Sequence, residues 1–238
     1  MREVEPFSIS LGTGQTATAA RVPSTITPAE ALAALGLEPA AGMIVMHGGA
    51  LLDGDLHRTV VEMLEDGLAP CAARRGLFVA DGGTYMGTMA AMGEARRRSG
   101  AGYPLIGVCP AEMVTSPGGP ENDAERYGLD PGHSHFLLVE GGGFGIESEL
   151  LVGLARAGGG PGVALIINGG DIVCREAQMH AANGTPIIVL RGSGRLADQL
   201  ADPSSQERRL LPADAPIEVV DLGQPSALLA ALDRFLGA

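Results

Sequence analysis

The hydrophobic positions of this chain fall into short, nearly unbroken runs separated by segments with helical spacing. Leu77-Phe78-Val79-Ala80 reads as a buried strand, Asp81-Gly82-Gly83-Thr84 interrupts it, and Met86, Met89, Ala90 and Gly93 then share one helix face. The same unit recurs on both sides of this stretch. Strands are predicted over Met43–Met46, Pro104–Cys109, His135–Val139, Val163–Ile167, Pro186–Leu190 and Ile217–Leu222. Helices are predicted over Asp55–Asp66, Ile146–Ala157, Asp171–Ala182, around Asp198 and over Pro225–Leu236. Strands that are apolar throughout, rather than alternating, belong to a parallel sheet covered on both faces.

Upstream of this periodic region, Phe7–Ser24 alternates and turns at Gly12-Thr13-Gly14, as a β-hairpin at the sheet edge would. Thr27-Pro28-Ala29-Glu30 is a capping box with proline at the first helical position, opening a short helix to Leu35. Residues 112–132 are rich in Pro, Gly, Asn and charge and read as a long loop over one sheet edge. Asp202–Ala215 reads as a polar loop. The expected architecture is α/β and doubly wound, with a mainly parallel sheet, helices on both faces and an N-terminal β-hairpin. A length of 238 residues suits one domain over 1–238, with the hairpin and first helix in 1–42 and the core in 43–238.

Composition removes several function classes. Acidic residues outnumber basic ones by 28 to 16, and no Lys/Arg-rich stripe offsets the net charge of −12, so duplex nucleic acid is excluded as a partner. Aromatics at 3% with no Trp do not supply a stacking platform for single strands. A small anion remains, because backbone N–H groups and one or two arginines suffice to hold it. Cys71, Cys109 and Cys174 show no CxxC or zinc spacing, and Cys109 and Cys174 read as small buried hydrophobes. The N-terminus lacks an apolar signal core, and no run of about 18 apolar residues occurs. The expectation is a cytoplasmic protein with no membrane partner.

In such a sheet the C-terminal strand ends share one edge, where ligands bind. Five of those ends are glycine-rich: Gly48-Gly49, Gly82-Gly83, Gly141 to Gly145, Gly169-Gly170 and Gly192-Ser193-Gly194. Each precedes a helix N-terminus, whose unpaired N–H groups and positive dipole end favour phosphate. Thr84 either caps its helix or donates to a phosphate oxygen. Arg195 either clamps a diphosphate or pairs with Asp198 at i,i+3. His47 either touches the ligand or is buried and hydrogen-bonded, and Asp81 either accepts from a ribose or orients its turn. His133 and His135 lack a third ligand, so packing or a hydrogen bond to the long loop is favoured over metal. Asp53, Asp55 and His57 are explained by a helix start enriched in acids, and no metal is expected. Ser193 lacks both the GxSxG elbow and a placed base, which excludes a hydrolase triad. No GxGxxG closes the first strand, which argues against an NAD-dependent dehydrogenase.

A set of motifs in order carries a resemblance. They are His47-Gly48-Gly49-Ala50, Asp81-Gly82-Gly83-Thr84-Tyr85-Met86-Gly87 with Gly93-Glu94-Ala95, and Ile106-Gly107-Val108-Cys109-Pro110. Leu129-Asp130-Pro131-Gly132-His133-Ser134-His135-Phe136, Gly143-Phe144-Gly145 to Glu149, Gly169-Gly170 and Gly192-Ser193-Gly194-Arg195-Leu196-Ala197-Asp198 complete them. From about Met43 to Ala201 the chain resembles the SLOG superfamily, most closely its LSDAT branch. That branch includes the N-terminal cytosolic domain of the TRP-melastatin cation channels and stand-alone prokaryotic relatives. LDPGHSHF and GSGRLAD are the specific parts.

The resemblance implies a Rossmann-like domain that binds a nucleotide-derived ligand, with ADP-ribose foremost and no cofactor required. The ligand-binding residues it implies are Gly48, Gly49, Ala50, Gly82, Gly83, Thr84, Gly87, Gly142, Gly143, Gly145, Glu149, Gly169, Gly170, Gly192, Ser193, Gly194 and Arg195. The wider group also holds enzymes similar to the cytokinin-activating phosphoribohydrolases, whose PGGxGTxxE motif Gly141–Glu149 matches loosely. Gly141 replaces the proline, Ile146 the threonine, and the upstream Arg-Lys pair is missing, with Arg126 the only cation nearby. Binding without turnover is therefore favoured, and cleavage of nucleoside monophosphates with Glu149 as the catalytic residue is the alternative. Pairing through helices into a homodimer is a further expectation.

Overall fold

Each apolar run forms a strand because both of its faces are buried and a turn residue bounds it. The computed structural model describes residues 4–12, 14–115 and 126–237. The antiparallel hairpin of β1 (Phe7–Ser10) and β2 (Thr16–Pro23) comes first; Thr13 of its turn lies outside the described residues. Helix α1 (Pro28–Ala34) follows with its capping box complete, since the Thr27 hydroxyl accepts from the Glu30 N–H and the Glu30 carboxylate from the Thr27 N–H. The chain then runs through β3 (Met43–Gly48), α2 (Gly54–Met63), α3 (Ala69–Arg75), β4 (Phe78–Asp81), α4 (Gly87–Ser99) and β5 (Leu105–Pro110). Two short strands, β6 (Val114–Thr115) and β7 (Tyr127–Gly128), precede β8 (His135–Glu140) and α5 (Ser148–Leu154). The last part comprises β9 (Gly162–Ile167), α6 (Asp171–Ala182), β10 (Ile187–Arg191), α7 (Arg195–Ala201), α8 (Gln206–Arg209), β11 (Ile217–Asp221) and α9 (Pro225–Leu236).

Among the described residues nine strands form one sheet in the order β1-β2-β8-β5-β4-β3-β9-β10-β11, parallel throughout except for β1. From β3 the chain adds β4, β5 and β8 on one side, then crosses back to set β9 on the other side of β3. The strand order therefore reverses between β3 and β9. Successive side chains face opposite ways. Ile44 and Met46 of β3 pack with Leu165 of β9 under α2, α3, α4 and α9, whereas Met43 and Val45 pack under α1 and α5. Ala164 and Ile166 face α6 and α7. The fold is α/β and Rossmann-like, and no helix among the described residues is long and apolar enough to cross a membrane.

Three departures from the sequence pattern have physical causes. The helix expected to end at Asp66 passes through a wide π turn (Leu64–Leu68) and continues as α3. Pro70 stands in the first turn of α3, directly after the wide turn. Cys109 is buried, but Cys174 on α6 is only half-buried.

The third departure concerns the long loop, of which residues 116–125 lie outside the described residues. The rest packs over the β1-β2-β8 edge of the sheet, as expected, but contains two short paired strands. Val114 and Leu129 join Ala19, Phe136 and Leu138 in a core cluster, β6 pairs with β7, and Leu129 bridges to Thr84. The turn after Leu129 is locked by a buried ion network. His133 Nε2 lies 2.8 Å from Asp81 Oδ1 and its Nδ1 lies 3.0 Å from Asp130 Oδ1, with all three side chains fully buried. Burial alone would favour the neutral ring, but the two carboxylates outweigh it and raise the His133 pKa to about 9. Asp81 Oδ1 also accepts from the Gly83 N–H at 2.7 Å, so this acid orients its own turn. The lock closes only because glycines meet: a Cβ on Gly132 would stand 2.3 Å from Gly93 Cα, and one on Gly93 would stand 1.7 Å from Asp130 Oδ1.

Candidate functional site

The reversal between β3 and β9 opens a cleft of about 320 Å³ at the C-terminal edge of the sheet. Small-molecule sites of ~300–1,000 Å³ occur at such switch points. Its walls come from the loop after β3 (Gly48, Gly49, Ala50), the turn after β4 (Gly82, Thr84, Met86), the start of α6 (Gly170, Asp171, Ile172) and Arg195 at the start of α7. Glu147, Leu151 and Phe144 contribute from the segment around α5, and Tyr127 from β7. Tyr127 and Phe144 meet edge to face at 5.3 Å and stay partly exposed at the mouth.

The residues expected at the site divide in two. Gly48, Gly49, Ala50, Gly82, Thr84, Gly170 and Arg195 line the cleft together. Gly83 instead packs on Gly107 and Phe136, Gly169 on Val173, and Gly194 beside Asn168. Gly87 packs against Gly49 and Ala50 from behind. Gly142 and Gly143 are exposed, and Gly145 sits near Arg175. The Gly192 N–H donates to Asp198 at 2.6 Å. Thr84 does not cap its helix, because α4 begins at Gly87 with Met86 as the cap residue.

Ser193 is fully buried with its hydroxyl engaged on both sides. It donates to the Leu190 carbonyl at 2.6 Å and accepts from the Asn168 N–H at 2.8 Å. Asn168 adds a bond from Nδ2 to the Ser193 carbonyl at 2.8 Å, so this pair staples the β9 and β10 loops together. Ser193 is not among the residues that line the cleft.

Glu149 is exposed and stands outside the cleft, whereas Glu147 is buried and lines it. Two residues correspond to about 200° around a helix, so the two acids cannot share a face. Burial raises the Glu147 pKa, and neighbouring Glu176 adds to the rise; hydrogen bonds from its own N–H and that of Gly145 only partly oppose it.

Arg195 takes up the left-handed backbone at φ 51, which non-glycine residues adopt at a cost of about 1–3 kcal/mol. That conformation brings its guanidinium beside the start of α6, where a Cβ on Gly170 would lie 2.9 Å from Nη2. The i,i+3 pair with Asp198 is not the arrangement found, since that carboxylate takes the Gly192 N–H.

At the floor of the cleft, which His47 and Glu176 line, runs a buried network whose members Glu176 and His180 no sequence motif marks. His47 Nδ1 lies 2.8 Å from Glu176 Oε2, His47 Nε2 lies 2.8 Å from His180 Nε2, and the Ser148 hydroxyl donates to Glu176 Oε1 at 2.7 Å. His47 is thus buried and hydrogen-bonded, with both ring nitrogens occupied. Burial works against the Glu176 carboxylate, but His47 and Ser148 outweigh it and hold its pKa low. Burial, with His47 adding, drives the His180 pKa down to about 2, so this ring is neutral. The available signal was Glu176 and His180 at i,i+4 on the otherwise apolar face of α6.

Among the described residues no group of three or more His, Cys, Asp or Glu is placed to hold a metal ion. Asp53 caps α2 through the Leu56 N–H, Asp55 pairs with Arg58, and His57 bonds Glu94 at 3.0 Å. His133 is engaged on both nitrogens by the lock described above.

Residues 41–230 match the family described as SLOG in TRPM, prokaryote. The chain belongs to this SLOG family. It is similar to transient receptor potential cation channel subfamily M member 2 of Mus musculus, at 28% identity over 207 residues covering 70% of this chain and 13% of the channel. Member 7 of the same subfamily from Rattus norvegicus is 29% identical over 198 residues, covering 67% of this chain and 10% of the channel. The chain thus spans a small fraction of these relatives. The X-ray structure of the structural-genomics target TM1055 superposes with a TM-score of 0.53 at 20% identity, covering 81% of this chain and 97% of that one, and shares the fold. In this SLOG chain the motif residues serve two ends. Asp81, Gly93, Asp130, Gly132 and His133 lock the loop onto the sheet, while Gly48, Gly49, Gly82, Gly170 and Arg195 shape the cleft.

Proposed function

We propose that this SLOG chain binds a nucleotide-derived ligand, ADP-ribose or a close relative, in the cleft between β3 and β9. The observation that carries this reading is Arg195, held in a strained backbone so that its guanidinium stands beside the uncapped start of α6. Helix-start amides and a guanidinium together suit a phosphate or diphosphate. The apolar walls of Met86, Met89 and Leu151, with Tyr127 and Phe144 at the mouth, suit a planar base.

Binding without turnover is favoured because Glu149, the acid that the phosphoribohydrolase resemblance would use, lies outside the cleft. One observation supports hydrolysis as the second reading. Glu147 is inside the cleft, and its raised pKa suits a general acid. Calorimetric titration with ADP-ribose, NAD and AMP, followed by chromatography of each mixture, separates the two. Intact ligand after micromolar binding supports a binding module; free adenine or nicotinamide establishes an enzyme.

Arg195 supplies a sharper test. Arg195→Ala and Arg195→Gly should both weaken ADP-ribose binding by roughly tenfold to a hundredfold, the worth of a charged hydrogen bond. Arg195→Gly should melt higher than Arg195→Ala, since only glycine relieves the backbone strain. Equal melting of the two variants, or unchanged affinity, would contradict the role given to Arg195.

A further inference from the structure

We infer that Glu147 is the specificity-determining residue of the cleft, and that its carboxyl reads the ribose hydroxyls of the bound nucleotide. This rests on the nucleotide reading above and names the part of the ligand that the acidic end of the cleft recognises. The cleft has two chemically distinct ends along α6. Gly170 and Arg195 mark the end where the phosphate is placed, with Asp171 of the same helix start exposed beside them. Glu176 lies six residues further on, roughly 9 Å along the helix axis. That separation is long enough to part the phosphate of a nucleotide from its sugar hydroxyls.

Two carboxyl groups line that second end, yet their roles differ. Glu176 is committed inward, with one oxygen on His47 and the other on the Ser148 hydroxyl. Glu147 has its Oε2 fixed by the Gly145 N–H at 2.8 Å, and the carboxyl borders the cleft. A carboxylate there repels phosphate, so it must meet a part of the ligand that donates hydrogen bonds. Ribose hydroxyls are such donors, and a carboxylate accepts from two of them without changing rotamer. Anchoring by the main chain pre-organises the acceptor, so little ordering entropy is lost when the sugar arrives.

The experiment compares wild type, Glu147→Gln and Glu147→Ala by calorimetry with AMP, 2′-deoxy-AMP, 3′-deoxy-AMP and IMP. The glutamine variant keeps the side-chain shape, and its melting temperature verifies that the fold is intact. Wild type should bind AMP about tenfold more tightly than at least one deoxy analogue, the worth of a hydrogen bond to a charged acceptor. Both variants should bind AMP as weakly as wild type binds that analogue, and should bind the analogue unchanged. A ribose-to-deoxyribose ratio that survives in both variants overturns the inference while leaving the nucleotide cleft standing. A change confined to the AMP-to-IMP ratio also overturns it, because the carboxyl then reads the base amine. Failure of wild type to bind ADP-ribose and all four of these nucleotides removes the proposed function and this inference together.

Discussion

Replacing His133 by alanine should lower the unfolding free energy by about 3–5 kcal/mol, the usual effect of removing one partner from a buried charge network. Two carboxylates would be left behind in a fully buried place. Asp81 and Asp130 already have one oxygen each without a partner, and Arg97 approaches Asp130 only to 3.9 Å. Asp130→Asn in the alanine background should recover part of the loss, because it removes one of the stranded charges. The same network sets a pH dependence. The folded-state pKa of His133 is raised to about 9 from an unfolded value near 6.5, so its contribution is fully present below about pH 6.5. It is lost as the pH rises through 9. That loss amounts to up to about 3 kcal/mol, and it should vanish in the alanine variant. Urea denaturation at pH 6 and pH 9 for both proteins measures both effects. A wild-type midpoint that does not fall between these pH values would remove the charged imidazolium from the account.

Gly87→Ala should be the most damaging small substitution near the cleft. A Cβ there would stand 2.1 Å from the Gly49 carbonyl oxygen and 2.5 Å from the Ala50 carbonyl carbon, both of them main chain that cannot swing aside. The residue also sits at φ 48, where any side chain adds strain. Overpacking and strain together amount to roughly 2–5 kcal/mol. The loop after β3 and the start of α4 would be forced apart, which deforms the cleft wall. Ligand affinity should therefore fall with stability, although Gly87 itself does not touch the cleft. Thermal melting and calorimetry on the same sample measure this. A variant that melts like wild type would show that the contact is looser than described.

Much of this was legible in the sequence, for reasons that particular residues show. The strands were readable because runs such as Ile44-Val45 and Leu165-Ile166-Ile167 are buried on both faces, and only parallel strands under two helix layers are so uniform. The capping box at Thr27 was readable because it is local. The identity of the cleft-lining glycines was only half readable. Gly82 and Gly83 are adjacent, yet one lines the cleft and the other packs on Gly107, a difference set by a strand 24 residues further along the chain. Glu147 and Glu149 illustrate the same limit, since motif spacing carries no information about which face of a turn looks inward. The His47–Glu176–His180 network spans 129 and 133 residues of chain, so no local pattern displays it. The lock of Asp81 with His133 was hidden likewise, although both residues stood in the recognised motifs.

The most direct measurement is a crystal structure of the protein grown with saturating ADP-ribose. Ligand density is expected in the cleft between β3 and β9, with a phosphate oxygen within hydrogen-bonding distance of Arg195 and of the first amides of α6. Density at any other surface, or a clear cleft with ligand bound elsewhere, would contradict it.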